Sequence, residues 1–251
     1  MTYCVAALVE EGIVFASDSR TSAGFDNIAI FSKMNVFEIP GERVVVILSS
    51  GNLATTQGVI ARLKMRARDG HGAAAADGIL GVAKMFEAAQ LVGRTMHEVV
   101  HEAAAVQQQG VDIGCHFIVG GQIEKKRPRL FHIYPEGNFI EATHDTNFFQ
   151  IGEHKYGKPI MDRVVKYHLS LRAAAKAMIV SFDSTMRSNL TVGLPIDLLA
   201  YERNASRVTL RRRFGDGDRY FSQLSGIWSA GLRRAFGEVP EIEWGNEKKD
   251  G

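Results

Sequence analysis

The spacing of apolar residues switches period in blocks along the chain, and the order of those blocks limits the fold more than anything else. Residues 2–9 and 13–17 read as two strands around a tight turn at Glu10-Glu11-Gly12. Residues 34–39 and 44–49 make a second strand pair through Pro40-Gly41, and the polar stretch 18–27 between the pairs reads as a loop. The spacing then becomes helical over residues 52–68, with Gly51 at the junction, and again over 79–108, with a break expected near Gly93. A Gly/Ala-rich stretch, 69–78, links these helices. Strand signals return at 113–123, 130–134 and 138–141, with turns at Arg127-Pro128 and Glu136-Gly137. Helical spacing follows at 155–168 and 171–188, strands at 195–201 and 207–214, and an amphipathic helix at 219–236.

Segregated strand and helix blocks favour α+β layering over a doubly wound parallel sheet. Two antiparallel sheets packed face to face, with a helix pair on each outer face, bury all the amphipathic faces at once. The expected fold is therefore a four-layer αββα sandwich. With no internal repeat and no domain-splitting linker, residues 1–240 are expected to form a single domain and 241–251 a charged, flexible tail.

Bulk properties exclude some functions. A chain of 251 residues can bury a sizeable core, and its net charge of +2 is too small to favour nucleic acid or an anionic membrane as the main partner. Lys125, Lys126, Arg127 and Arg129 read as a solvated hairpin tip, and Arg211, Arg212 and Arg213 as a strand edge that discourages pairing. Cys4 and Cys115 lie in apolar runs and read as buried free thiols, which suits a reducing cytoplasm. No apolar run reaches the length of a membrane span, and the first residues lack the pattern of a signal peptide. A cytoplasmic protein is expected, with an N-terminus left where translation put it apart from loss of Met1, which the small Thr2 favours.

That terminus carries the candidate chemistry. A threonine hydroxyl is a poor nucleophile without a nearby base, and a terminal threonine supplies its own in the α-amine, with a pKa near ~8. The first hairpin brings Asp18, within Ala16-Ser17-Asp18-Ser19-Arg20, back beside Thr2, and Lys33 opens the third strand within reach of the same place. A lysine ammonium there favours the free amine and the alkoxide, and Asp18 would hold that lysine protonated. Ser50-Gly51-Asn52 lies where a strand enters a helix, so the Gly51 N–H can face a developing oxyanion.

Thr2, residues 16–20, Lys33 and Ser49-Ser50-Gly51 before a helix resemble the proteasome β-subunit signature in order and spacing. The phrases "TYCVAALVEEGIVFASDSRTSAG", "FSKMNVFEIPGERVVVILSSGNLATTQGV" and "SFDSTMRSNLTVGLPIDLL" are similar to the bacterial proteasome-related family called Anbu, over nearly the whole chain to about Phe236. The resemblance implies an N-terminal-nucleophile (Ntn) hydrolase cleaving peptide bonds through an acyl-enzyme on Thr2, with Asp18 and Lys33 as activating pair and Gly51 as oxyanion hole. Arg20 and Ser22 would line the entrance and bind an extended peptide, and Ser50 would support the site. It further implies a homo-oligomeric ring or spiral, a peptide or unfolded-protein substrate, and no metal or organic cofactor; it names no unfoldase partner. Two places depart from the proteasome pattern. Gly152-Glu153-His154 stands where a serine follows glycine, and Arg187-Ser188-Asn189 where an aspartate orients the amine, with Thr191 at a later serine position. Ser188 offers a hydroxyl but no charge, and Glu153 adds a charge at an unusual place.

Three other readings compete. His97-Glu98-Val99-Val100-His101 has the HExxH spacing of zinc peptidases, but Glu102 follows directly and no third ligand is evident. A catalytically weak or inactive ring-forming scaffold would not need Thr2, Asp18 and Lys33 together, although Ser188 and Glu153 favour it mildly. An amidase of small amides keeps the fold and changes the substrate. The remaining histidines, His71, His116, His132, His144, His154 and His168, show no ligand spacing.

Overall fold

The computed structural model describes residues 2–22, 28–68, 78–104 and 112–243. Four strands open the chain: β1 (Tyr3–Val9), β2 (Gly12–Asp18), β3 (Arg20–Ser22) and β4 (Ile28–Ile30). Then follow β5 (Met34–Ile39), β6 (Arg43–Gly51), helices α1 (Leu53–Arg68) and α2 (Met85–Ala104), β7 (Cys115–Ile123), β8 (Arg129–Ile133), β9 (Phe139–Glu141) and β10 (Phe148–Gly152). Helices α3 (Lys158–Val164) and α4 (Leu171–Ser188), strands β11 (Ile196–Glu202) and β12 (Leu210–Phe214) and helix α5 (Arg219–Gly237) complete the chain. It divides into two compact units, Met1–Asp216 and Gly217–Gly251.

In the first unit, two five-stranded antiparallel sheets run β10-β1-β2-β11-β12 and β5-β6-β7-β8-β9. Period-two alternation sorts the side chains. Cys4, Ala6 and Leu8 of β1 meet Val44, Val46 and Leu48 of β6 between the sheets, together with Phe15 and Ile118. Val45, Ile47, Phe117 and Val119 face the other way, onto Val59 and Leu63 of α1 and Val92 and Met96 of α2. On the far face of the first sheet, Tyr3 packs on Phe182 of α4 at 4.5 Å between ring centroids and shares a hydrogen bond with Ser181. The layers are therefore α, β, β, α, and β1 and β2 are buried on both faces. Each fully buried side chain such as Phe15 or Phe117 contributes about 1.5–3 kcal/mol.

Several boundaries differ from the sequence reading. Part of the expected 18–27 loop is strand: Arg20–Ser22 pairs with Ile28–Ile30, while residues 23–27 fall outside the described residues. Strand β10, absent from the sequence reading, pairs with β1 along its length. Helix α3 is shorter than 155–168. Helix α2 starts later than residue 79 and runs unbroken through Gly93, where a Cβ would lie 2.4 Å from the Gly137 carbonyl. That glycine serves a close approach of the β8–β9 turn, and the helix continues past it.

The linker at 69–77, His71, the end of the second helical region at 105–111, and the tail from 244 onward lie outside the described residues. Both cysteines are buried and free, and burial pushes the Cys115 thiol up to about 12. The Arg211 to Arg213 run lies on β12, an edge strand, where Arg213 pairs with Asp197. In the second unit α5 is capped by Asp218, whose side chain accepts from the Phe221 N–H at 2.9 Å. No helix among the described residues is long and apolar enough to cross a membrane.

Candidate active site

Alternation along β1 turns Thr2 to the same side as Cys4 and Ala6, the face between the sheets. There it lines a cavity of about 310 Å³ with Lys33, Ser49, Ser50 and Gly51; Phe31, Leu53 and Ile60 supply apolar walls and Lys64 a charge.

The charged pair is built by the strand ends. Asp18 closes β2 and is wholly buried, and its Oδ1 accepts the Tyr3 N–H at 3.0 Å, which fixes the carboxylate against the first turn of β1. Lys33, just ahead of β5, reaches both Asp18 oxygens at 2.8 Å and the Arg20 carbonyl at 2.6 Å. Its own carbonyl accepts from the Ser49 N–H at 3.0 Å, so β6 holds it in place. Burial pushes the Asp18 carboxyl up, while the Lys33 ammonium and the Tyr3 amide pull it back. Cys4, the nearest thiol, is pushed well above the ordinary thiol range by burial and then by the Asp18 charge, so it stays protonated and donates a hydrogen bond to the Ser49 carbonyl.

Ser49 and Gly51 lie two apart in β6, so their N–H groups turn to the same side. The Ser49 N–H donates to the Lys33 carbonyl, β5 begins only at Met34, and Gly51, at the end of β6, lines the cavity. Asn52 caps α1 by accepting from the Thr55 N–H at 3.1 Å, which keeps the helix N-terminus beside the same cavity.

A second group of residues meets Thr2 from β10. The register Tyr3 to Gly152 puts Thr2 opposite Glu153, whose N–H donates to the Thr2 carbonyl at 2.6 Å. The Glu153 side chain is buried, and its Oε2 accepts from Asn189 Nδ2 at 3.0 Å. Asn189 Oδ1 in turn accepts from the Thr191 N–H at 2.9 Å and its hydroxyl at 2.6 Å. Ser188 is exposed on the last turn of α4, so the residue that meets Glu153 is Asn189, which the sequence reading passed over. Arg20 donates to the Leu190 carbonyl at 3.3 Å and crosses Gly193, holding the same loop from its other side. Ser22 closes β3 opposite Ile28; its side chain lies outside the described residues. Ser50 is buried at the cavity.

The HExxH residues lie elsewhere. His97 and His101 are exposed on α2, while Glu98 is held by Arg66 at 2.8 Å and Arg62 at 3.7 Å. Glu102 is bound to Arg62 as well. The histidine pair missed from sequence is His116 and His132, on neighbouring strands, with Nδ1 and Nε2 3.3 Å apart.

Comparison with solved structures matches the chain over nearly its full length. Anbu from Hyphomicrobium sp. strain MC1 is 50% identical over 97% of this chain and 100% of that one, with a TM-score of 0.87. The chain belongs to the Anbu family. Anbu from Yersinia bercovieri, described as an ancestral beta-subunit, is 45% identical over 98% of this chain and 100% of its own, with a TM-score of 0.90. Anbu from Pseudomonas aeruginosa, solved as a helical assembly, is 46% identical over 96% of this chain and 98% of its own, at a TM-score of 0.88. The family model for the proteasome subunit matches residues 89–198. No curated protein matches the chain. The fold is therefore the proteasome-type Ntn-hydrolase fold that Anbu shares, with two antiparallel sheets and flanking helices.

Proposed function

We propose that the chain hydrolyses peptide amide bonds with Thr2 as nucleophile once Met1 has been removed. What supports this most is the Asp18–Lys33 pair: a buried ion pair, 2.8 Å apart, set beside the cavity that Thr2 lines. A buried pair is a weak source of stability, since desolvating two charges offsets much of their attraction. Its place beside a terminal hydroxyl and amine gives it a chemical use.

The cycle runs on this chain's own groups. The Thr2 α-amine takes the proton of Oγ, and Oγ attacks the substrate carbonyl carbon. Lys33, held by Asp18 and the Arg20 carbonyl, is a fixed positive charge that favours the alkoxide. The Gly51 N–H and the N-terminus of α1 stabilise the negative oxygen of the tetrahedral intermediate. The C–N bond then breaks, and the ammonium returns its proton to the leaving amine, which leaves an ester on Thr2. A water that gives its proton to the amine attacks the ester, releases the acid and restores the hydroxyl. Arg20 and Ser22, on the β3–β4 ribbon, would bind the substrate backbone, and Ser50, Ser188 and Thr191 would support the site.

The homo-oligomer expected from sequence is supported by the helical assembly of the Pseudomonas aeruginosa relative. The zinc reading loses its general base, because Glu98 is occupied by two arginines. A peptide β-lactone, which acylates a reactive threonine oxygen, tests the proposal: a covalent adduct on Thr2 supports it, and an unmodified Thr2 in a chain lacking Met1 overturns it. Turnover of fluorogenic peptides that persists in Thr2→Ala would equally remove Thr2 from the reaction.

A further inference from the structure

The Glu153 carboxylate is half used. Its side chain is 4% exposed, and Oε2 is taken by Asn189, but Oε1 is buried with no hydrogen-bond partner among the described residues. A buried carboxylate oxygen without a donor is costly, of order 1–3 kcal/mol and more when charged. Lys155 forms a long ion pair with Oε1 at 3.8 Å from a side chain that is 71% exposed, too far for a hydrogen bond.

The backbone around Glu153 faces one residue closely. Thr2 lies directly opposite it across the β1–β10 ladder, and the Glu153 N–H binds the Thr2 carbonyl at 2.6 Å. Gly152, at φ +80°, makes that approach possible. Loss of Met1 converts the Thr2 nitrogen from an amide with one proton to an ammonium with three. A new set of donors is thus created at the residue whose carbonyl the Glu153 N–H already binds.

We propose that Glu153 receives the α-ammonium of Thr2 and orients it, with Asn189 and Thr191 holding the carboxylate from behind. This rests on the proposed function and adds a positioning residue to it. Other charged and titratable groups surround this end of the sheet. Asp18 and Lys33 stand on the cavity side, Arg20 is tied to the Leu190 carbonyl, His154 contacts the Gly152 carbonyl, and Arg187 pairs with Asp183 on α4. Glu153 opposes Lys33: the lysine charge favours the free amine and the glutamate charge favours the ammonium. The balance of the two sets the pH at which the amine becomes a base.

The test is the pKa of the Thr2 α-amine in the full folded chain, made without Met1 by release from an N-terminal fusion. Competitive trace acetylation of the amine across pH reads this value without needing catalysis. Glu153→Gln keeps the shape and removes the charge, and we expect it to lower the amine pKa by about one unit or more. Glu153→Asp should recover part of that shift, and Lys155→Ala should raise the value only slightly, since its ammonium is solvated. Thermal unfolding of each variant shows whether it is folded, and Glu153→Asp serves if the Gln variant is not. An amine pKa equal in parent and Glu153→Gln overturns the proposal, as does a larger change in Lys155→Ala than in Glu153→Gln. These outcomes are separate from the proposed function. A β-lactone adduct on Thr2 with an unmoved amine pKa removes only Glu153's role, whereas absence of the adduct removes the nucleophile.

Discussion

Gly152 and Thr2 meet so closely that no side chain fits between them: a Cβ on Gly152 would lie 2.0 Å from the Thr2 carbonyl oxygen. Gly152 also sits at φ +80°, where an L side chain is strained. The same turn presents the Glu153 N–H to that oxygen, so one glycine fixes the height of the first strand against the edge strand.

Gly152→Ala should therefore destabilise the chain by about 1–3 kcal/mol from backbone strain alone. It should also displace Thr2 and reduce its acylation more than the stability loss explains. Denaturant unfolding and the rate of β-lactone labelling, measured on the same sample, check both parts.

Lys33→Met would leave Asp18 buried and without its cation. Both side chains are almost fully buried, at 7% and 0% exposure, so a loss of about 3–5 kcal/mol in unfolding free energy is expected. The double variant Lys33→Met with Asp18→Leu should recover much of that stability while leaving no hydrolysis. Recovery of stability without activity assigns the pair to chemistry; recovery of both contradicts the proposed role.

The His116–His132 pair makes stability depend on acid. Burial, and then the neighbouring His116, hold His132 down at about 4, and burial lowers His116 as well. Below the ordinary value of about 6.5 the unfolded chain takes protons that the folded chain resists. Stability contributed by the neutral rings is thus full above pH 6.5 and falls as pH drops toward 4. His132→Phe should flatten the decline between pH 6.5 and 4.5 relative to the parent, as read from denaturant midpoints; an unchanged slope would contradict this. Carboxylates such as Glu141, lowered by its hydrogen bond to Arg129, add losses of the same sign lower down, and these remain in both proteins.

The His97→Ala, His101→Ala double variant should retain full peptide hydrolysis. Loss of activity that zinc restores would return the α2 helix to consideration.

The layer order was legible in the sequence because each element's period matches its burial. β1 and β2 join through Glu10-Glu11 as a hairpin, with β2 starting one residue earlier than read, and α4 runs from Leu171 to Ser188 as its spacing requires. The nearness of Thr2, Lys33 and Gly51 around one cavity, with Asp18 bound to Lys33, was legible because each lies at a strand terminus. β10 was not, since a five-residue edge strand with one buried face gives too little alternation to separate it from the polar stretch before it. With β10 unseen, the register that puts Glu153 opposite Thr2 was invisible, and so was the hydrogen bond from Asn189 to its carboxylate. The His116–His132 contact arises between strands 16 residues apart, which no local spacing reports.

Intact-protein mass spectrometry after exposure to a peptide β-lactone, on the parent and on Thr2→Ala, tests the central claim most directly. The parent should lack Met1 and gain a single lactone mass on the N-terminal peptide, and Thr2→Ala should gain none. A parent that has lost Met1 and gains no adduct, or an adduct that persists in Thr2→Ala, would contradict it.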